Sequence, residues 1–198
     1  MATDQKPLSQ KWPRWVLLVA IVPACWLGMM AVHELGHVFA AWLVGAKVER
    51  VILHPLAFSR TDVAGSNWPR LIVWMGPLVG MTMPMTLWLA ARAMCLTVTF
   101  LFQFFAGFCL LANGAYLASV LFEPVGDTAD LLRLGESPVL ICLFGLPCMI
   151  AGVMMWSGLA SSFGWGPSAK DVSPRVAVGV VLVLVVMVVA EFVLSASA

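Results

Sequence analysis

Two histidines and a glutamate, His33, Glu34 and His37, stand in the stretch M-M-A-V-H-E-L-G-H-V-F-A-A-W-L at 29–43, which is otherwise almost wholly apolar. A helix advances about 100° per residue, so residues four apart share a face and both imidazoles can address a single ion. Glu34 projects to the neighbouring side. It is poorly placed to share that ion but well placed to take a proton from a water held there, which is the division of labour in H-E-x-x-H zinc hydrolases. The apolar setting adds weight. An ionisable residue near the centre of a membrane helix costs about 2.5–3.5 kcal/mol on insertion scales, and three within a turn and a half call for the compensation that metal ligation supplies. The plainer reading is a pair of histidines hydrogen-bonded to neighbouring helices beside a protonated, idle glutamate.

A catalytic zinc site takes three protein ligands and leaves a fourth position for water. Acidic candidates for the third cluster in F-E-P-V-G-D-T-A-D-L-L-R-L-G-E-S-P, namely Glu123, Asp127 and Asp130. Asp127 is preferred, because it follows Val125 and Gly126 and would open a short helix with its side chain turned inward. An ordinary helix N-cap accounts for the same aspartate. Asp130 remains an alternative ligand and His54 an outside candidate.

The elements that must carry these residues follow from composition. Of 198 residues, 62% are hydrophobic and only 11% charged, and the mean hydropathy is +0.97. No soluble core needs that balance, whereas several bilayer crossings do. The expected fold is an all-α polytopic membrane protein with about five transmembrane helices and a short membrane-associated β-hairpin-like loop after the first. A net charge of +1 with no basic run excludes nucleic acid as a partner. The five cysteines are odd in number, lie in apolar spans and form no C-x-x-C, so they read as small apolar packers.

Residues 1–14 form a polar N-terminal segment in which Lys6, Lys11 and Arg14 frame Trp12, Pro13 and, just beyond, Trp15, in the manner of an interfacial anchor. The first crossing, 16–44, exceeds the roughly 20 residues a span requires, so it should tilt, protrude or bend at Pro23. It runs unbroken into the histidine motif and is not expected to be a removable signal peptide. The loop 46–69 has β-branched residues in partial alternation and reads equally as a surface loop or as a hairpin lying on or dipping into the membrane. In the second case its edge would suit capture of an unwound substrate by strand addition. Further crossings are expected at 71–91, which carries M-G-P-L-V-G, at 94–122, polar only at Gln103, Asn113 and a few hydroxyls, and at 139–159 and 176–194. Glu191, near the end of the last, is expected to snorkel or stay neutral.

H-E-L-G-H in a first membrane helix, M-G-P-L-V-G in the next, and Asn113 followed by Pro124 and Gly126-Asp127 after the third together resemble the site-2 protease group of intramembrane zinc metalloproteases, the M50 peptidase family, and above all its small bacterial members. The resemblance covers 15–135, a catalytic membrane core of three helices with the loop 46–69 and the acidic turn 123–134; two additional helices follow in 136–198. It implies one zinc ion per chain on His33, His37 and Asp127, with Glu34 as general base. Asn113, Gly76 and Pro77 are expected to serve substrate binding. One departure is that the family commonly shows its asparagine, closely spaced prolines and L-D-G in a compact run. Here Asn113 and Asp127 lie farther apart, and the aspartate sits in G-D-T.

The activity implied is hydrolysis of a peptide bond in or near the transmembrane segment of another membrane protein, after local unwinding that frees its peptide groups. The partners are that substrate and the lipid bilayer, and the implied location is the inner (plasma) membrane if the source is bacterial. The resemblance further implies that Lys47, Arg50, Arg60, Arg70 and Arg133 face the cytoplasm with the N-terminus outside, and no PDZ-like or CBS-like domain is expected in this chain. The competing readings are a catalytically inactive scaffold or chaperone that keeps a structural metal, and a metal transporter. Glu34 argues for chemistry, and the spans carry too few polar residues to form a transport path.

Overall fold

A computed structural model describes residues 11–196. Among them, five helices are long and apolar enough to cross a membrane: α1 (Trp12–Leu43), α2 (Pro69–Ala93), α3 (Thr99–Ala118), α5 (Pro138–Trp156) and α6 (Pro174–Ala196). A hairpin of β1 (Lys47–Ile52) and β2 (Arg60–Ala64) follows α1, and the short α4 (Asp127–Arg133) lies between α3 and α5. The chain is a multi-pass, all-α membrane protein with one small antiparallel hairpin. That is the architecture its hydropathy requires, because helices satisfy their own backbone groups within the bilayer.

The first helix begins at Trp12 rather than near residue 16, since Pro13 sits in its first turn, where a missing N–H costs nothing. Its 32 residues continue through Pro23 and span about 48 Å, well beyond a hydrocarbon thickness of about 30 Å. At its far end the N–H groups of Gly45 and Ala46 bond to the carbonyls of Trp42 and Ala41, with Gly45 at φ +67°. This is the left-handed closure that glycine favours, and it turns the chain back along the helix it has just left. Strand pairing runs from Lys47 opposite Ala64 to Ile52 opposite Arg60, with an irregularity between Val48 and Arg50. Val48 and Val63 pack on Ala40 and Ala41. The turn at 53–59 reaches Trp26, whose ring meets Phe58 edge-on at 6.1 Å between centroids. Trp26 lies about 26 Å of helix rise from the end of α1, so the loop is a hairpin that lies alongside the helix.

Close approach of helices depends on glycines where apolar area alone would not hold them together in lipid. A Cβ on Gly36 of α1 would overlap the Met75 carbonyl of α2. Between α3 and α5, Gly107 faces the Gly152 carbonyl at 3.0 Å and Gly114 the Gly145 carbonyl at 2.7 Å from an ideal Cβ, so the two antiparallel helices touch backbone to backbone. On the opposite flank α6 packs Leu184, Met187 and Val188 against Leu27, Met29 and Met30 of α1. The last two helices are thus built into the body, with α5 on α3 and α6 on α1. At the N-terminal end of α1, Arg14 lies 4.9 Å from the ring centres of both Trp15 and Trp165 and donates to the Gly164 carbonyl at 3.1 Å. All five cysteines are free, and Cys25, Cys109 and Cys142 are buried.

Candidate metal centre

His33 and His37 lie one turn apart on the face of α1 that looks across the bundle, with ring centroids 4.9 Å apart. The third group arrives from α4. Asp127 Oδ2 is 2.8 Å from His33 Nε2 and 3.2 Å from His37 Nε2, and the three atoms lie within 4.8 Å of one another. Asp127 is delivered there by local backbone geometry. Gly126 has φ +52°, a conformation open to glycine, and a Cβ there would overlap the Tyr116 hydroxyl. That hydroxyl accepts the Asp127 N–H at 2.7 Å, and the Thr128 hydroxyl donates to the Tyr116 carbonyl at 3.0 Å, so α3 sets where α4 begins.

The partners behind each imidazole decide what its front nitrogen offers. Asn113 Nδ2 donates to the Cys109 carbonyl at 2.9 Å, which turns Oδ1 toward His33 Nδ1 at 2.7 Å. His37 Nδ1 donates to the Ile72 carbonyl at 2.8 Å. Both Nδ1 atoms are therefore donors, and in the neutral ring each Nε2 presents a lone pair toward a carboxylate oxygen. Three such atoms hold these distances only with positive charge between them, supplied by protons on the rings or by a cation. Burial by itself raises the Asp127 carboxyl, but hydrogen bonds and charge from the His33 and His37 rings, present when their Nε2 atoms carry protons, outweigh that and hold it well below the usual carboxylate range. The two Nε2–Oδ2 distances are close to the roughly 3.3 Å between ligand atoms on a four-coordinate ion, and back-side hydrogen bonds to metal-binding histidines are the usual support. The donor set could hold a metal ion.

Glu34 is buried beside the two histidines, and both of its oxygens are engaged. Ser59 Oγ donates to Oε1 at 2.7 Å and Thr61 Oγ1 to Oε2 at 2.6 Å. The histidines, Glu34 and Asp127 all border one cavity of about 1060 Å³ that is walled by α1, the hairpin, the start of α2, α3 and α4. Comparison of the chain with protein-family models, curated proteins and solved structures finds no match.

The other residues singled out in the sequence fall into place around the centre or away from it. Asn113, expected to serve substrate binding, borders the cavity and is buried behind His33, with its side-chain oxygen at His33 Nδ1 and its side-chain nitrogen at the Cys109 carbonyl. Gly76 abuts the site directly, for a Cβ there would overlap His37 Nε2 and lie 2.8 Å from His33 Nε2. Pro77 is fully buried within α2. Asp130 pairs with Arg133 at 2.7 Å, Glu123 is exposed, and the His54 ring packs on Phe192 at 5.3 Å, outside the cluster. Tyr116, Ser59 and Thr61 were not singled out from the sequence. The S-R-T alternation in a strand-like stretch was the available signal for the last two.

Proposed function

We propose that the chain is an intramembrane zinc metalloprotease of the site-2 type, hydrolysing a peptide bond in or near the membrane segment of another protein. The observation that carries this reading is the convergence of His33 Nε2, His37 Nε2 and Asp127 Oδ2 beside Glu34 on one cavity. His33, His37 and Asp127 would hold the metal, with Asn113 and the Ile72 carbonyl keeping the rings in the ligating tautomer. Zinc held there would supply Lewis acidity toward a carbonyl and a water near neutral pH. Glu34 takes a proton from the attacking water and passes it to the leaving amine nitrogen as the C–N bond breaks. The cavity bordered by the bundle and the hairpin gives a locally unwound substrate segment room for its freed peptide groups.

The test is paired. Purified wild-type protein should carry about one zinc per chain and cut a membrane-spanning reporter, while Glu34→Gln should keep the zinc and lose cleavage by at least about 10³-fold. Full cleavage by Glu34→Gln removes the assigned base. One observation favours a second reading: both Glu34 oxygens are bonded within the protein, as a metal-holding scaffold without turnover would permit. Zinc-loaded wild type that cuts nothing would identify that scaffold.

A further inference from the structure

Glu34 is held from outside the helix that carries it. Its two donors, Ser59 and Thr61, stand at and just before the start of β2, two residues apart, so their side chains project from one face of the extended chain. One bonds Oε1 at 2.7 Å and the other Oε2 at 2.6 Å. A glutamate has three rotatable side-chain torsions, and a single donor would leave the carboxylate free to swing about that bond. Donors on both oxygens fix its plane. Each carboxylate oxygen can accept twice, so one site per oxygen remains for the proton of a water in the cavity.

The hairpin that brings these hydroxyls is itself anchored at its turn. The Ser195 hydroxyl donates to the Leu53 carbonyl, and the His54 ring stands edge-on to Phe192 of α6 at 5.3 Å. The Glu34 carboxylate is thus aimed by a hairpin tied to the last helix, while the metal ligands are aimed by α2, α3 and α4. We propose, resting on the metalloprotease reading above, that Ser59 and Thr61 are the positioning residues of the base. They hold the Glu34 carboxylate plane for proton transfer and have no part in holding the metal.

The experiment uses the full chain in lipid nanodiscs and a single-span reporter peptide with an Asn-Gly pair at its midpoint. Thr61→Val keeps the shape and removes the hydroxyl; Thr61→Ser keeps the hydroxyl. Ser59→Ala, the Ser59→Ala/Thr61→Val pair and Glu34→Gln complete the set. Expected are a kcat lower by about tenfold for each single hydroxyl loss and about 100-fold for the pair, with KM within about twofold, a scale typical of misplaced catalytic groups. Zinc content should not change, and Thr61→Ser should restore kcat. A readout independent of turnover is amide hydrogen exchange across 59–64, which should quicken in Glu34→Ala as it does in the double variant, because either change cuts the same tether. Wild-type kcat in the double variant, with Glu34→Gln inactive, overturns this proposal and leaves the protease reading standing. Zinc loss in the double variant also overturns it, by making the hydroxyls part of the metal site's support. Zinc-loaded wild type that leaves the reporter intact overturns both.

Discussion

At the scale of single residues, the proposed function separates groups that would hold a metal from groups that would hold those groups. With Asp127 as the proposed third ligand, Asp127→Ala should abolish tight zinc binding. Asp130, three residues on and paired with Arg133 at 2.7 Å, should be replaceable by alanine with zinc content unchanged; metal analysis of the two purified variants decides which aspartate is the ligand. Asn113 acts one step back. Asn113→Ala leaves His33 Nδ1 without its acceptor and frees the ring to rotate or change tautomer, so zinc affinity should fall by about 10–100-fold without being lost. Competition with a chelator of known affinity measures this, and an unchanged dissociation constant would return Asn113 to a role at the substrate. The two histidines were legible because ligand spacing on one helix follows from the helical period alone. The Asn113 contact depends on how α1 and α3 face each other, which no spacing within a single segment encodes.

At the scale of elements, glycines set how closely the helices approach. Gly107 and Gly114 on α3 are seven residues apart, as are Gly145 and Gly152 on α5, and the pairs meet in antiparallel register. An ideal Cβ on Gly114 comes 2.7 Å from both the Gly145 carbonyl and the Met149 nitrogen, which are backbone atoms that cannot yield by a rotamer change. Gly114→Ala should therefore cost about 1–3 kcal/mol through overpacking. Gly179 on α6 has nothing within 4 Å of its Cβ position, so Gly179→Ala should be neutral or stabilising by up to about 1 kcal/mol, the ordinary helix preference for alanine. Thermal unfolding of both in the same detergent makes the comparison, and equal midpoints would remove the close-packing account of the α3–α5 contact. The five crossings and their order were readable from hydropathy, because lipid leaves few alternatives to an apolar helix. The glycine pairing was not, since spaced glycines in two separate spans acquire meaning only once the helices are known to be antiparallel neighbours. The hairpin lies between these cases. Its β-branched alternation was visible, yet its place along α1 depended on contacts of its turn with Trp26 and α6.

Over the whole molecule, the bundle has two ends with separate cores and separate duties. Toward the His33, His37 and Asp127 cluster, Leu131 of α4 is fully buried with Leu117 of α3 and Ile141 of α5, and this apolar group seats the short helix that carries Asp127. At the other end, Leu17, Ile21 and Phe163 close the bundle beneath the tryptophan pair that flanks Arg14. Cavity-forming substitutions at the two ends should resemble each other in stability and differ in function. Leu131→Ala and Phe163→Ala should each cost about 2–5 kcal/mol, mostly as lost contacts, because a vacated space in a packed interior is only partly refilled. Leu131→Ala also loosens α4, so part of its cost should reappear as weaker zinc binding, and a fixed zinc concentration should raise its unfolding midpoint less than it raises that of Phe163→Ala. Measuring both midpoints with and without zinc distinguishes the ends. Equal zinc effects would mean that α4 is held in place chiefly by the Tyr116 and Thr128 hydrogen bonds, with the apolar cluster contributing stability and no alignment of Asp127.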